Sequence, residues 1–261
     1  MNMGKEIRIR KLMNEKTGKV LIVALDHSPL MGPVVGKPRE IVNEIIEGGC
    51  DALLIHEGFA KDTYDIFPKH VNFILKLTTA TKYSADNTHR VLVSSVRKAV
   101  YLGAIGVAIN VFVGSEYELE MLELMGRISD QCEEYGMPLL PIMYTTGTER
   151  FGVEKVKVAA TIGAELGGDI IKTHYTGDKN SFESVINSCT VPIIMSGGPK
   201  TDTTEEFLKM VKGAIDAGAK GVAIGRNIWQ RKDPCNMVRA IRAIIHENVD
   251  VSSAMNEFSL A

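Results

Sequence analysis

The chain has 261 residues, 45% of them hydrophobic and 24% charged, with a formal net charge of −2. That balance describes a globular chain able to bury a sizeable core and excludes a disordered polymer. It also excludes the basic footprint of a nucleic-acid protein, and no apolar run reaches the roughly 18 residues that span a membrane. An anionic small-molecule substrate therefore needs a local cationic pocket.

The opening segment MNMGKEIRIRKLMNEKTGK is polar and charged and is read as carrying no secretory leader. The four cysteines, Cys50, Cys132, Cys189 and Cys235, show no metal-ligand or redox spacing, so a cytoplasmic protein with reduced thiols is expected. Val20–Leu25 is then the first of eight short runs rich in Ile, Val and Leu. The others are Ala52–Ile55, Asn72–Leu77, Gly106–Val111, Leu139–Met143, Asp169–Lys172, Val191–Met195 and Gly221–Ile224. Runs this short and this apolar read as strands buried on both faces of a parallel sheet.

Helical patterns lie between them: Arg39–Glu47, Arg97–Leu102, Ser115–Tyr135, Glu154–Leu166, Ser181–Ser188, Thr203–Ala217 and Met237–Glu247. Ser115 with Glu118 predicts a capping box for the third of these, and Thr203 or Thr204 a cap for the sixth. The phrases EGGCDALLI, LGAIGVAI, LGGDIIK and AGAKGVAI repeat one junction: helix end, Gly, small residue, strand. Eight strands and no Gly-rich turn after the first favour a (β/α)8 TIM barrel over an open Rossmann-like sheet, with residues 1–261 as a single domain.

A barrel builds its active site at the C-terminal ends of its strands. There the chain places Asp26 and His27, His56, Tyr144, Lys172 and His174, Ser196-Gly197-Gly198, and Gly225-Arg226. A lysine still enclosed by its strand loses hydration, which favours the neutral, nucleophilic amine. Lys172 fits that description, although pairing with Asp26 or Asp178 would make it merely structural. Lys76 is its rival, and its place inside the third strand favours a structural pairing role. The Gly turns after the last two strands suit a phosphate, with Arg226 adding a charged fork and His27 and Ser196 further substrate contacts. Asp26 and Tyr144 are candidates for proton transfer. The histidines lack metal-site spacing, so no metal is expected.

The segments IIKTHYTGD (170–178), IIMSGGPKT (193–201) and GVAIGRNIWQ (221–230), with TGKVLIVALDH (17–27) followed by Gly32-Pro33, resemble the archaeal-type class I fructose-bisphosphate aldolase family. This DhnA-like group also holds 2-amino-3,7-dideoxy-D-threo-hept-6-ulosonate synthase. The resemblance covers nearly the whole chain and implies a Schiff base on Lys172, proton transfer by Tyr144 with help from Asp26, and a substrate phosphate on Gly197, Gly198, Gly225 and Arg226. It implies a homo-oligomer, such as a decamer of five-fold rings, and no cofactor beyond that lysine. Three places depart from the family pattern, one of them the loop from Tyr144 to Lys172, which is a few residues shorter than the family's. Ser28 replaces a glycine after the Asp-His pair, and Thr145-Thr146-Gly147 replaces Pro-Arg-Gly after the tyrosine, removing an arginine expected at the acceptor end.

The activity implied is reversible cleavage of fructose 1,6-bisphosphate. The synthase, which passes a lysine-bound fragment to aspartate semialdehyde, is the alternative, and a related phosphorylated-diketone thiolase a third. A sugar-phosphate binder without catalysis would not need Lys172, Tyr144 and Asp26 together.

Overall fold

The eight strands form one parallel barrel: β1 Val20–Ala24, β2 Ala52–Ile55, β3 Asn72–Lys76, β4 Gly106–Val113, β5 Leu139–Thr145, β6 Ile171–Thr173, β7 Ile193–Ser196 and β8 Gly221–Ile224. Each pairs with the next, and β8 closes on β1 with Val20 opposite Gly221 and Val23 opposite Ile224. The computed structural model describes residues 2–32 and 38–260; Pro33 of the Gly32-Pro33 pair lies outside the described residues.

Side chains alternate along the strands, as period-2 geometry demands. Val20, Ile22 and Ala24 of β1 join Leu54, Ile74, Leu140, Ile142, Ile194 and Ala223 in the barrel interior. Leu21 and Val23 instead pack outward with Val42, Ile45, Phe182 and Phe207 of the surrounding helices. Both faces are therefore buried, which is why the strands read as continuous apolar runs.

The helices fall close to the expected spans, at Pro38–Glu47, Val96–Leu102, Glu118–Tyr135, Val153–Glu165, Lys179–Asn187, Thr204–Asp216 and Pro234–Arg242. Thr203 and Glu206 form a reciprocal capping box. Ser115 does not form one. The third helix starts at Glu118, whose carboxylate accepts from the Gly114 N–H at 2.7 Å, and Ser115 belongs to the turn before it.

Met3–Leu12 is a helix that the polar opening segment concealed. Asn2 caps it, accepting from the N–H groups of Gly4 and Lys5. Its Leu12 is 2% exposed and belongs to the interior cluster, so the helix stoppers the N-terminal end of the barrel. Lys5 ties it to Glu133 and Asp169. At the other end a short ribbon, Thr78–Thr79 against Val91–Leu92, extends the loop after β3.

Gly221 sits at the closing seam with φ +138°, where a Cβ would meet the Val20 carbonyl oxygen at 2.0 Å. Gly221→Ala combines a left-handed backbone with a backbone clash, and it is expected to cost about 3 kcal/mol or more. Thermal unfolding of the variant should shift down by roughly 5–10 °C; an unchanged midpoint would mean the seam can relax around a methyl group.

Candidate active site

The C-terminal ends of the strands gather the predicted residues around two adjoining cavities. The outer one, of about 460 Å³, is lined by His27, Tyr144, Lys172, Ser196, Gly197, Gly198, Gly225 and Arg226. The inner one, of about 90 Å³, adds Asp26, His56 and Lys76. Lys172, 5% exposed, lines both, as do Tyr144 and His27.

The inner cavity holds opposed charges in little water. Burial alone would raise the Asp26 pKa, but the positive fields of His27, Lys76, Lys172 and His56 outweigh it and hold the carboxyl at about 2. His27 and His56 are both pushed below the usual histidine value, chiefly by burial, so the lasting positive field comes from the lysines. Burial brings Lys76 down to about 7, against the pull of Asp26 and with the help of Lys172 and Arg90. The structural pairing expected for Lys76 is not made: its Nζ is buried without a hydrogen-bond partner among the described residues. His27 lies edge-on to Trp229, with its Nδ1 3.3 Å from Asp26 Oδ1.

Tyr144 reaches from β5 across β6 to β7, where its hydroxyl lies 2.6 Å from Ser196 Oγ. The serine expected at the anion turn thus meets the tyrosine. His174 stacks on the Tyr144 ring at 4.2 Å, and burial, then the charges of Arg150 and Lys172, lower its pKa to about 4. A neutral imidazole therefore fixes the plane of the phenol.

The glycine turn after β7 is built from outside. Asn227 donates to the carbonyls of Gly197 at 2.9 Å and Pro199 at 2.8 Å, and Arg226 donates to the Gly198 carbonyl at 3.0 Å. Gly198 has φ +62°, and at Gly225 a Cβ would lie 2.5 Å from the His27 ring. Both turns thus keep backbone exposed to the cavity, an arrangement suited to an anion.

Sequence reasoning missed Arg90, Arg150, Phe112 and Phe151, which also belong to the lining. Arg90 and Arg150 come from irregular loops, where no periodicity marks a side chain as inward-facing. Among the described residues, no three His, Cys, Asp or Glu side chains are grouped to hold a metal ion, and no helix is long and apolar enough to cross a membrane.

Residues 20–231 match the DeoC/LacD family aldolase pattern. The 2-amino-3,7-dideoxy-D-threo-hept-6-ulosonate synthase 1 of Archaeoglobus fulgidus is 37% identical, over 97% of this chain and 95% of its own. The class 1 fructose-bisphosphate aldolase of Thermoproteus tenax is 35% identical, over 92% and 95%. A solved archaeal fructose-1,6-bisphosphate aldolase, with its catalytic lysine covalently bound to the carbinolamine intermediate of the substrate, superimposes with a TM-score of 0.85. It is 34% identical and covers 93% of this chain and 99% of its own.

The depressed pKa of Lys76 sets a pH dependence of stability. The unfolded chain holds the Lys76 proton up to about pH 10.5 and the folded chain only to about 7. Between these values the unfolded state binds more protons, so this group makes stability rise with pH, and the contribution is lost as pH falls toward 7. Lys76→Met removes that slope. The stability of the variant minus that of the parent should be greatest below about pH 7 and fall by a few kcal/mol toward pH 10, which denaturant titrations across that range would measure. A difference independent of pH would place the Lys76 amine in a far wetter site.

Proposed function

This chain belongs to the DeoC/LacD family of aldolases, and from that premise we propose that it reversibly cleaves fructose 1,6-bisphosphate to dihydroxyacetone phosphate and glyceraldehyde 3-phosphate through a Schiff base on Lys172. The observation that carries the reading is the position of Lys172 on the wall shared by the two cavities, with Asp26 on one side and the glycine turns on the other.

The amine of Lys172 adds to the substrate ketone, and loss of water gives an iminium. When the C4 hydroxyl loses its proton, the C3–C4 electron pair flows into the iminium, leaving an enamine on the lysine and a free aldehyde. Tyr144 receives that proton and returns one to the enamine carbon, held in place by Ser196 and the His174 ring. Water then releases dihydroxyacetone phosphate and restores the amine. Asp26, anionic well below neutral pH, suits stabilising the iminium charge and assisting the adjacent proton transfer. The phosphate of the donor half lies on the turns of Gly197, Gly198 and Gly225, with Arg226 as its charged partner and His27 facing the same space. The lysine itself supplies the electron sink, so the chemistry needs no cofactor.

A second reading, the heptulosonate synthase reaction onto aspartate semialdehyde, draws support from the Archaeoglobus fulgidus relative and from Thr145-Thr146-Gly147 in place of Pro-Arg-Gly. Under either reading we infer a cytoplasmic enzyme acting as a single domain and assembled as a homo-oligomer. The exposure of Tyr101 at 73% and Leu119 at 80% supports an assembly that covers apolar surface.

Borohydride with dihydroxyacetone phosphate should inactivate the protein and leave one reduced adduct on Lys172, with EDTA making no difference. An adduct mapped to Lys76, or activity lost to EDTA and regained with zinc, would overturn the assignment. Tyr144→Phe should still form the adduct yet turn over about a hundredfold more slowly, the range general acid–base catalysis supplies. Turnover at the parent rate would remove the phenol from the mechanism.

A further inference from the structure

Arg90 carries a feature that the proposed chemistry does not use. It is only 8% exposed, and its Nε and Nη1 are buried without a hydrogen-bond partner among the described residues. Among those residues it forms no ion pair. Its guanidinium lies over the Phe112 ring, 5.1 Å from the centroid, and it lines both cavities. A buried guanidinium stays charged and is costly to desolvate, so an arginine that lines a cavity with donors left idle points to an anion that completes it. Asp26 reaches Arg90 only through its field, without a hydrogen bond.

The position of Arg90 in the barrel says which part of a substrate that anion belongs to. In the strand order β3 stands four strands from β7, and β4 four strands from β8, so these pairs face each other across the axis. The glycine turns and Arg226 follow β7 and β8. Arg90 lies in the loop between β3 and β4, with Asn87 beside it in the lining and Arg150 entering from the loop after β5. Lys172, on β6, lies between the two walls. The arginine expected two residues after the tyrosine is absent, and Thr146 in its place lines a separate outer groove and turns its hydroxyl to the Val113 carbonyl.

We propose that Arg90, assisted by Arg150, is the binding site for an anionic group on the aldehyde half of the substrate, across the barrel from the donor phosphate. The inference rests on the lysine-aldolase reading and deepens it by naming the residue that selects for the phosphate or carboxylate of the aldehyde released or captured. The cation at this end of the cavity is supplied from the β3–β4 loop rather than from the strand that bears the tyrosine.

The test uses the full-length protein loaded with dihydroxyacetone phosphate and three acceptors: glyceraldehyde 3-phosphate, aspartate semialdehyde and uncharged glyceraldehyde. The parent should favour one of the anionic acceptors over glyceraldehyde at least about tenfold in kcat/KM. Arg90→Met should shrink that preference by roughly ten- to a hundredfold, the loss of one charge-assisted contact, and Arg90→Lys should restore part of it. Preference for glyceraldehyde 3-phosphate identifies the group as phosphate, and preference for aspartate semialdehyde as carboxylate. Arg226→Ala, at the donor end, should weaken all three acceptors alike. Borohydride trapping on Lys172 is read first. Its failure overturns the aldolase reading and this inference with it. Trapping that succeeds while the parent shows no charge preference, or while Arg90→Met lowers all three acceptors equally, overturns the Arg90 site alone.

Discussion

A parallel barrel exists only if its last strand can lie against its first, and in this chain that closure has no slack. Gly221 passes so near the Val20 carbonyl that no side chain fits between them. Closure surrounds the interior strand residues with other strands and leaves their outward neighbours to the helices, so both faces of each strand become dry. Charged side chains are then tolerated only at the barrel ends. The C-terminal end collects them, and their proximity there follows from their exclusion elsewhere.

What those groups can do follows from how little water they share. In bulk solvent an aspartate, two lysines and two histidines within one site would be screened from each other. Buried together, Asp26, Lys76 and the histidines adjust their protonation states instead. Asp26 is held anionic, His27, His56 and His174 are driven toward the neutral form, and Lys76 is brought near neutrality. Neutral histidines can orient neighbours without adding positive charge beside a lysine that becomes a cationic iminium in the proposed reaction. The stacking of His174 on Tyr144 is of this kind.

The barrel and most of its helices were legible because they follow repeated rules: apolar strand, glycine junction, amphipathic helix. The strand ends nominated Asp26, Tyr144 and Lys172 together because the barrel brings the end of every strand to one place. Other features were not legible, each for a physical reason. The Met3–Leu12 helix buries only Lys5 and Leu12, so it has no apolar stripe to detect. Ser115 had the right spacing for a capping box, but the helix starts later, after Tyr117, and the Glu118 carboxylate turns back to the Gly114 N–H instead. Arg90 sits in a polar loop where its inward direction depends on the ribbon formed by Thr78–Thr79 and Val91–Leu92, a tertiary pairing with no local code. The choice between Lys76 and Lys172 could not be made from pattern alone, since both are enclosed near the ends of their strands.

The N-terminal stopper also bears on the order in which the molecule acquires its structure. A ten-residue helix with two buried side chains has little stability of its own. The groups that hold it, Glu133 and Asp169, lie 128 and 164 residues further along the chain, and the interior cluster that receives Leu12 is not complete until Ala223 is in place. The Met3–Leu12 helix is thus among the last elements to find its seat. Until residues from the far strands are in place the N-terminal mouth of the barrel stays open to water, and docking of this helix closes it.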